Sequence, residues 1–249
     1  MSTAVAAPSA ARERFAAPTC PQPETHGIAR PVIFAPSGRP DYVASAEMSF
    51  DEFLRLDYEQ GLAEWVDGEV FLYMSAKFPH QRVVTFLTTH LNMVLTYLAL
   101  GVVHNGPYAI KSPSGRAGRE PDIFLIAQAH RDRITENYLD GNADVAIEVV
   151  SDDSVTRDTR VKLAEYEAAG IPEYWVIDPR PGVETAHFYV LRGAHYAEVE
   201  PDTDGIYTSA VFPAVRLKVA WLFEEDPPLA EALRLCLGDG FGLPAVRRP

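Results

Sequence analysis

Cysteine is nearly missing: the 249 residues hold two, Cys20 and Cys236, one towards each end. Two cysteines build neither a disulfide framework nor a cysteine-based zinc site, so a reducing compartment is the default expectation. No run of about 18 apolar residues occurs. The most hydrophobic long stretch, 83–100, is broken by Thr85, Thr88, Thr89, His90, Asn92 and Thr96 and reads as a core helix, not a membrane span. The first residues lack a charged segment followed by a continuous apolar one, so no secretion signal and a cytoplasmic location are expected. Positive charge is also scarce, with 22 Lys and Arg against 35 Asp and Glu, a net charge of −13. That balance argues against coating nucleic acid or an anionic membrane by bulk electrostatics, while leaving room for a local basic groove. The sequence has no GxGxxG, no P-loop, no GxSxG and no His-x3-His spacing. These absences remove the dinucleotide, nucleoside triphosphate, serine-hydrolase and zinc readings that rest on motif.

What is present is an ordinary globular composition, 47% hydrophobic, in a chain long enough to bury a sizeable core. Residues 1–46 carry 7 of the 20 prolines and 11 alanines without a hydrophobic period, which predicts a disordered tail. Ser49-Phe50-Asp51-Glu52 fits a capping box, and Phe50, Phe53, Leu54 and Leu56 predict a short amphipathic helix. Residues 62–66, Asp67-Gly68 and 69–74 read as strand, primed turn and strand. Pro79 opens a long helix that Gly101 is expected to stop. Strands follow at 102–105, 108–112, 123–127 and 144–150, then a helix over 154–169 ended by Gly170, then a buried strand at 173–177. Further strands are expected at 186–191, 195–199 and 215–219, and a short helix with a frayed end in the extension 225–249. This order predicts an α/β or α+β domain over 47–224 with a mixed central β-sheet flanked by helices.

Three places could carry chemistry. Arg119-Glu120-Pro121-Asp122 stands directly ahead of the apolar strand at 123–127, so Asp122 is either a turn residue or a carboxylate presented at a sheet edge. In 144–150 a period of two puts Asp144, Ala146, Glu148 and Val150 on one face and Val145, Ile147 and Val149 on the other. A carboxylate in the middle of such a strand must meet a cation, a strong donor or a water-filled cleft, because burying it unpaired costs several kcal/mol. The third place is the helix start from Thr156 to Lys162. Lys162 falls there in a stripe with Val155, Thr159, Leu163, Tyr166 and Ala169, or else forms an exposed i,i+4 pair with Asp158. Two carboxylates on neighbouring strands and an ammonium on the next helix suit phosphodiester hydrolysis, since hard oxygen ligands hold Mg²⁺ and a cation offsets developing negative charge.

The run Pro121-Asp122, Glu148 in a strand and a lysine beyond it resembles the PD-(D/E)XK nuclease superfamily. Residues 47–224 resemble, more specifically, the Uma-two family of restriction endonucleases. The resemblance rests on AEWVDGEV (63–70), REPDIFLI (119–126), DVAIEVVSDDSVTRDTRVKLAEYEAAGIPEYWVIDP (144–179) and SAVFPAVRLKVAWLF (209–223). It implies a restriction-endonuclease-like core, Mg²⁺ or Mn²⁺ as cofactor and DNA as substrate. Asp122 and Glu148 become the implied metal ligands. The superfamily places its lysine two residues after the glutamate, where this chain has Val150; the family supplies the lysine from the next helix, which makes it Lys162. Glu64 matches an acid of the family's first motif, and a solvated hairpin acid is the plainer account of it.

Arg119 reads as a phosphate clamp or as an ion-pair partner of the neighbouring acids. His80, near the start of the long helix, reads as a DNA contact or as a surface residue. Tyr174, Trp175 and Trp65 read as core. Lys77, Arg82, Lys111, Arg116, Arg119, Arg157 and Arg160 are the cations available for a local binding surface. A metal-dependent DNA endonuclease is the first expectation, with a homodimer to cut two strands. A nuclease-fold module that binds nucleic acid or a protein without cutting is the alternative, and hydrolysis of RNA or branched DNA is a third. In the alternative the acids and lysine form an internal ion network and Lys162 matters to folding, whereas a catalytic lysine would be nearly dispensable for it.

Overall fold

The computed structural model describes residues 44–55, 62–73, 77–111, 117–152, 154–239 and 241. Strand β1 (Ala44–Glu47) leads into a single helical turn, α1 (Phe50–Phe53). The capping box forms in full: the Glu52 N–H donates to the Ser49 hydroxyl at 3.3 Å and the Ser49 N–H donates to the Glu52 carboxylate at 2.8 Å. Strands β2 (Leu62–Val66) and β3 (Glu69–Tyr73) turn at Asp67-Gly68, whose φ values of +49° and +97° are the left-handed pair that a two-residue primed turn needs. β1 pairs antiparallel with β3, so regular structure begins inside the stretch 1–46 expected to be a tail. Residues 1–43 of that expectation lie outside the described residues.

Helix α2 (Phe78–Tyr97) has Pro79 in its first turn and gives way to Ala99 at φ +52°. Gly101 is not its stop but the first residue of β4 (Gly101–Asn105). Close approach, not helix termination, requires glycine there, because a Cβ would lie 2.2 Å from the Ile126 carbonyl oxygen. Then come β5 (Ala109–Lys111), β6 (Ala117–Arg119), β7 (Ile123–Ala127), β8 (Tyr138–Asp140) and β9 (Val145–Val149). A π turn over Arg157–Val161 runs into α3 (Lys162–Ala169), which ends at Gly170 with φ +81° as expected. The rest comprises β10 (Glu173–Asp178), β11 (Thr185–Arg192), β12 (His195–Glu198), β13 (Ile206–Thr208), β14 (Arg216–Lys218) and α4 (Leu229–Leu237).

The mixed sheet expected from the strand order is divided in two. One six-stranded sheet runs β1-β3-β2-β6-β5-β8 and the other β12-β11-β10-β9-β7-β4, while β13 and β14 form a separate hairpin. β5 with β8 and β9 with β10 are parallel, and the remaining pairs are antiparallel. β9 sits inside its sheet and is buried on both faces. Val145, Ile147 and Val149 join a core that includes Val83, Leu87, Leu91, Val94 and Leu95 of α2. Ala146 and Val150 face the other way, into a cluster with Tyr166, Tyr174 and Val176. The second face is the one that carries Glu148. Tyr174, Trp175 and Trp65 are buried, as expected of core residues.

A buried glutamate fixes the β13–β14 hairpin. Glu173 accepts from Trp175 Nε1 and the Tyr207 hydroxyl, both at 2.7 Å, and from the Ser209 hydroxyl at 2.8 Å and the Val211 N–H at 2.9 Å. Four donors compensate the desolvation that one buried carboxylate suffers. Cys236 is a free thiol and Cys20 lies outside the described residues. Among the described residues no helix is long and apolar enough to cross a membrane.

Candidate active site

Strand register brings the two principal acids together. β7 pairs antiparallel with β9 through Ile123 to Ile147, Phe124 to Ala146 and Leu125 to Val145. Continued by one residue, that register sets Asp122 opposite Glu148, and opposed residues on antiparallel strands share a face. A hydrogen bond locks the end of the ladder: the Val149 N–H donates to Asp122 Oδ2 at 2.7 Å. Asp122 is therefore a presented carboxylate and not a simple turn residue. Its Oδ1 lies 3.2 Å from His80 Nε2, so the first turn of α2 reaches the same spot.

Lys162 joins the two sheets at this point. Its ammonium lies 2.8 Å from Glu148 Oε1 on β9 and 2.7 Å from Glu64 Oε1 on β2, with Asp158 Oδ1 at 3.8 Å. Lys162 is only 1% exposed, and Glu64 is fully buried. The Asp158 to Lys162 pair thus exists, but in the interior and not on the surface, and Glu64 is a core acid rather than a solvated hairpin residue. Glu148 Oε1 accepts a second hydrogen bond, from the Tyr166 hydroxyl at 2.9 Å. The π turn contributes to this convergence, because the Lys162 N–H bonds back to the Arg157 carbonyl over the widened turn.

Arg119 forms the outer wall. The β2–β6 register, Trp65 to Gly118, places Glu64 opposite Arg119, and Arg119 Nη1 donates to Glu64 Oε2 at 2.9 Å. Its Nε and Nη2 donate to the two oxygens of Glu165, each at 2.8 Å, so of the two readings of Arg119 the geometry matches the ion pair. Other cations considered for a binding surface are also engaged. Lys77 pairs with Asp152, Arg157 lies 3.4 Å from Asp158, Arg82 donates to the Phe223 carbonyl at 3.4 Å and Lys111 sits over the Phe50 and Tyr138 rings. Arg160 is exposed, and Arg116 lies outside the described residues.

Acids crowd the single buried ammonium, and their charges respond. Burial pushes the Glu148 carboxyl up to about 8, with Asp158, Asp122 and Glu64 adding to the shift against the pull of Lys162. Burial acts in the same direction on Glu64, but Lys162, Arg119 and Arg157 outweigh it and hold that carboxyl far below its usual range. The ammonium of Lys162 is disfavoured by burial and favoured more strongly by Glu148, Glu64 and Asp158, so it stays charged. Both acids touch the same ammonium and shift in opposite directions. The physical reason is that Glu64 has Arg119 and Arg157 near it besides Lys162, while Glu148 has the negative charges of Asp158, Asp122 and Glu64 around it.

The structure thus gathers Asp122, Glu148, Lys162, Glu64, Arg119 and His80 in one place. Asp144, just ahead of β9, sits apart, accepting from the Ala127 N–H at 2.7 Å and meeting His130 Nδ1 at 2.7 Å. Residue-by-residue reading missed Asp158 as a buried neighbour of Lys162, the half-buried Glu165 as a partner of Arg119, and Tyr166 as a partner of Glu148. The signal was the helical period: Asp158 and Tyr166 lie four residues before and after Lys162, on its face.

Asp122 and Glu148 offer hard carboxylate oxygens, the donor type that Mg²⁺ and Mn²⁺ take. Among the described residues no group of three or more His, Cys, Asp or Glu is arranged to hold an ion. Two carboxylates would leave most of an ion's coordination to water, which Mg²⁺ tolerates.

Residues 50–220 match the Uma2 family, described as "Putative restriction endonuclease". A solved structure titled a "putative nuclease belonging to DUF820", from Anabaena variabilis ATCC 29413, superposes with a TM-score of 0.58 at 18% identity, over 71% of this chain and 97% of the other. At that identity the likeness establishes the fold. No curated protein matches the chain.

Proposed function

The chain belongs to the Uma2 family and is nuclease-like, and from that premise we propose that it is an endonuclease that hydrolyses DNA phosphodiester bonds with Mg²⁺ or Mn²⁺. The observation that carries the reading is the convergence of Asp122 and Glu148 on one face of adjacent strands, with the Lys162 ammonium 2.8 Å from Glu148. In this reading Asp122 and Glu148 hold the ion, and the catalytic unit spans residues 47–224. The ion supplies Lewis acidity at the phosphoryl oxygens. Glu148 Oε1 is fixed by Lys162 and Tyr166, which sets how Oε2 is aimed, while Asp122 is held at Oδ2 by the Val149 N–H and at Oδ1 by His80. Lys162 remains protonated, so it contributes a fixed positive charge behind Glu148 and does not serve as a base. Glu64 keeps that charge in place, Arg119 braces Glu64, and His80 orients Asp122.

Purified protein incubated with plasmid DNA and Mg²⁺ or Mn²⁺ is expected to nick or linearise it, and Asp122→Asn or Glu148→Gln to abolish the activity. Cleavage that persists in either variant overturns the site. Cutting both strands calls for two such sites, so a homodimer is the assembly expected in light scattering. RNA and branched DNA in the same assay test the substrate class.

The enclosed Lys162 favours a second reading, a nuclease-fold module that binds without cutting. Burial makes Lys162 important to folding in both readings, so Lys162→Met does not separate them. Metal does: the binding module predicts no calorimetric Mn²⁺ binding at millimolar ion, and the endonuclease predicts one site per chain lost in Asp122→Asn.

A further inference from the structure

The Tyr166 hydroxyl donates to Glu148 Oε1, and the ring is buried beside Tyr174 at 5.0 Å between centroids. Tyr174 differs in one respect that matters: its hydroxyl donates to the backbone carbonyl of Asp158 at 2.8 Å and so holds the π turn, not the carboxylate. Two buried tyrosines in edge contact thus hold different things, one the turn that delivers Lys162 and the other the acid itself.

A glutamate has three side-chain torsions, and an isolated ion pair to a single ammonium leaves the carboxylate plane free to rotate about the contact. Two donors on the same oxygen, an ammonium from one side and a phenol from another, remove that rotation. They also occupy Oε1, leaving Oε2 as the oxygen turned away from both. Strand register puts Asp122 across from this carboxylate, with its own Oδ2 already fixed by Val149. We propose that Tyr166 is a positioning residue for a divalent ion: by saturating Glu148 Oε1 together with Lys162, it presents Oε2 alone and so makes Glu148 a single-oxygen ligand paired with Asp122. The inference rests on the proposed metal-dependent reading of the site. Partners outside the ligand set that orient a ligating carboxylate typically change metal affinity about 10- to 100-fold when removed.

The test is isothermal calorimetry of Mn²⁺ binding to the full chain, on wild type, Tyr166→Phe and Tyr174→Phe. Heat-denaturation midpoints with and without Mn²⁺ are read in parallel, and at low temperature where a variant is too unstable for calorimetry at 25 °C. Tyr166→Phe is expected to weaken Mn²⁺ binding about 10- to 100-fold and to shrink the Mn²⁺-induced rise in midpoint. Tyr174→Phe, a loss of the same atom from an equally buried ring, is expected to lower the metal-free midpoint and to weaken Mn²⁺ binding much less than Tyr166→Phe does. Equal affinity in wild type and Tyr166→Phe overturns the positioning role while leaving the metal site standing, and so does an equal loss in both variants. No Mn²⁺ binding by the wild type overturns the metal-dependent reading and this inference with it.

Discussion

Glu148 is the residue on which stability and chemistry pull against each other. Its carboxyl, ordinarily near 4.5, is pushed up to about 8 by burial among other acids. In the unfolded chain the same proton leaves near the ordinary value, so between these pH values the folded state binds more protons. The share of stability from this group is accordingly present below about pH 4.5 and lost as pH rises through about 8, a change of a few kcal/mol at most. Glu64, ionised in both states over that range, contributes nothing to the slope. Metal-free protein is expected to show a falling denaturation midpoint from pH 7 to 9. Glu148→Gln should flatten the fall, and Mg²⁺ should oppose it in wild type but not in the variant. A midpoint indifferent to pH in wild type would contradict the burial argument. Of these residues, Asp122, Glu148, Lys162 and Glu64 were legible in the sequence, since a mid-strand acid demands a partner and the family motifs supply the others. That Arg119 serves Glu64 and Glu165 was not settled, because a cross-strand partner depends on a register that no local pattern specifies.

At the scale of elements, α2 shows how a helix can be well predicted and still hide a sensitive group. Its existence follows from Pro79 and the apolar period, and its true end at Tyr97 does not, because the glycine in view was needed by β4 for contact with Ile126. Strands β6, β8 and β13, three residues each, lack the longer apolar pattern around them that made the equally short β5 and β14 legible. On the inner face of α2 lies His90, fully buried, its Nε2–H donating to the Arg216 carbonyl at 3.3 Å and its ring stacked on Phe86. Burial lowers its pKa to about 4 from an ordinary 6.5, which amounts to roughly 3 kcal/mol of stability held above pH 6.5 and lost as pH falls through 4. Urea titrations at pH 7 and pH 4 should show wild type faring worse on acidification than His90→Leu, which cannot be protonated, by roughly 3 kcal/mol. An equal change in both proteins would assign the acid sensitivity elsewhere.

The whole molecule carries a net charge of −13, and most cations near the site are already bound to acids, carbonyls or rings. Nucleic acid binding then relies on few phosphate contacts. The logarithm of affinity for duplex DNA, measured against the logarithm of salt with Ca²⁺ in place of Mg²⁺ to suppress cleavage, is expected to fall with a slope of roughly −2 to −3. A slope near −6 would require a basic surface elsewhere, such as one formed by residues outside those described.

One ammonium spans the gap between β2 of the first sheet and β9 of the second, and solvent does not reach it. An acylating reagent in the surrounding water therefore has access to Lys162 only while the two sheets are parted. Its labelling rate in peptide mass spectrometry becomes a clock for that opening.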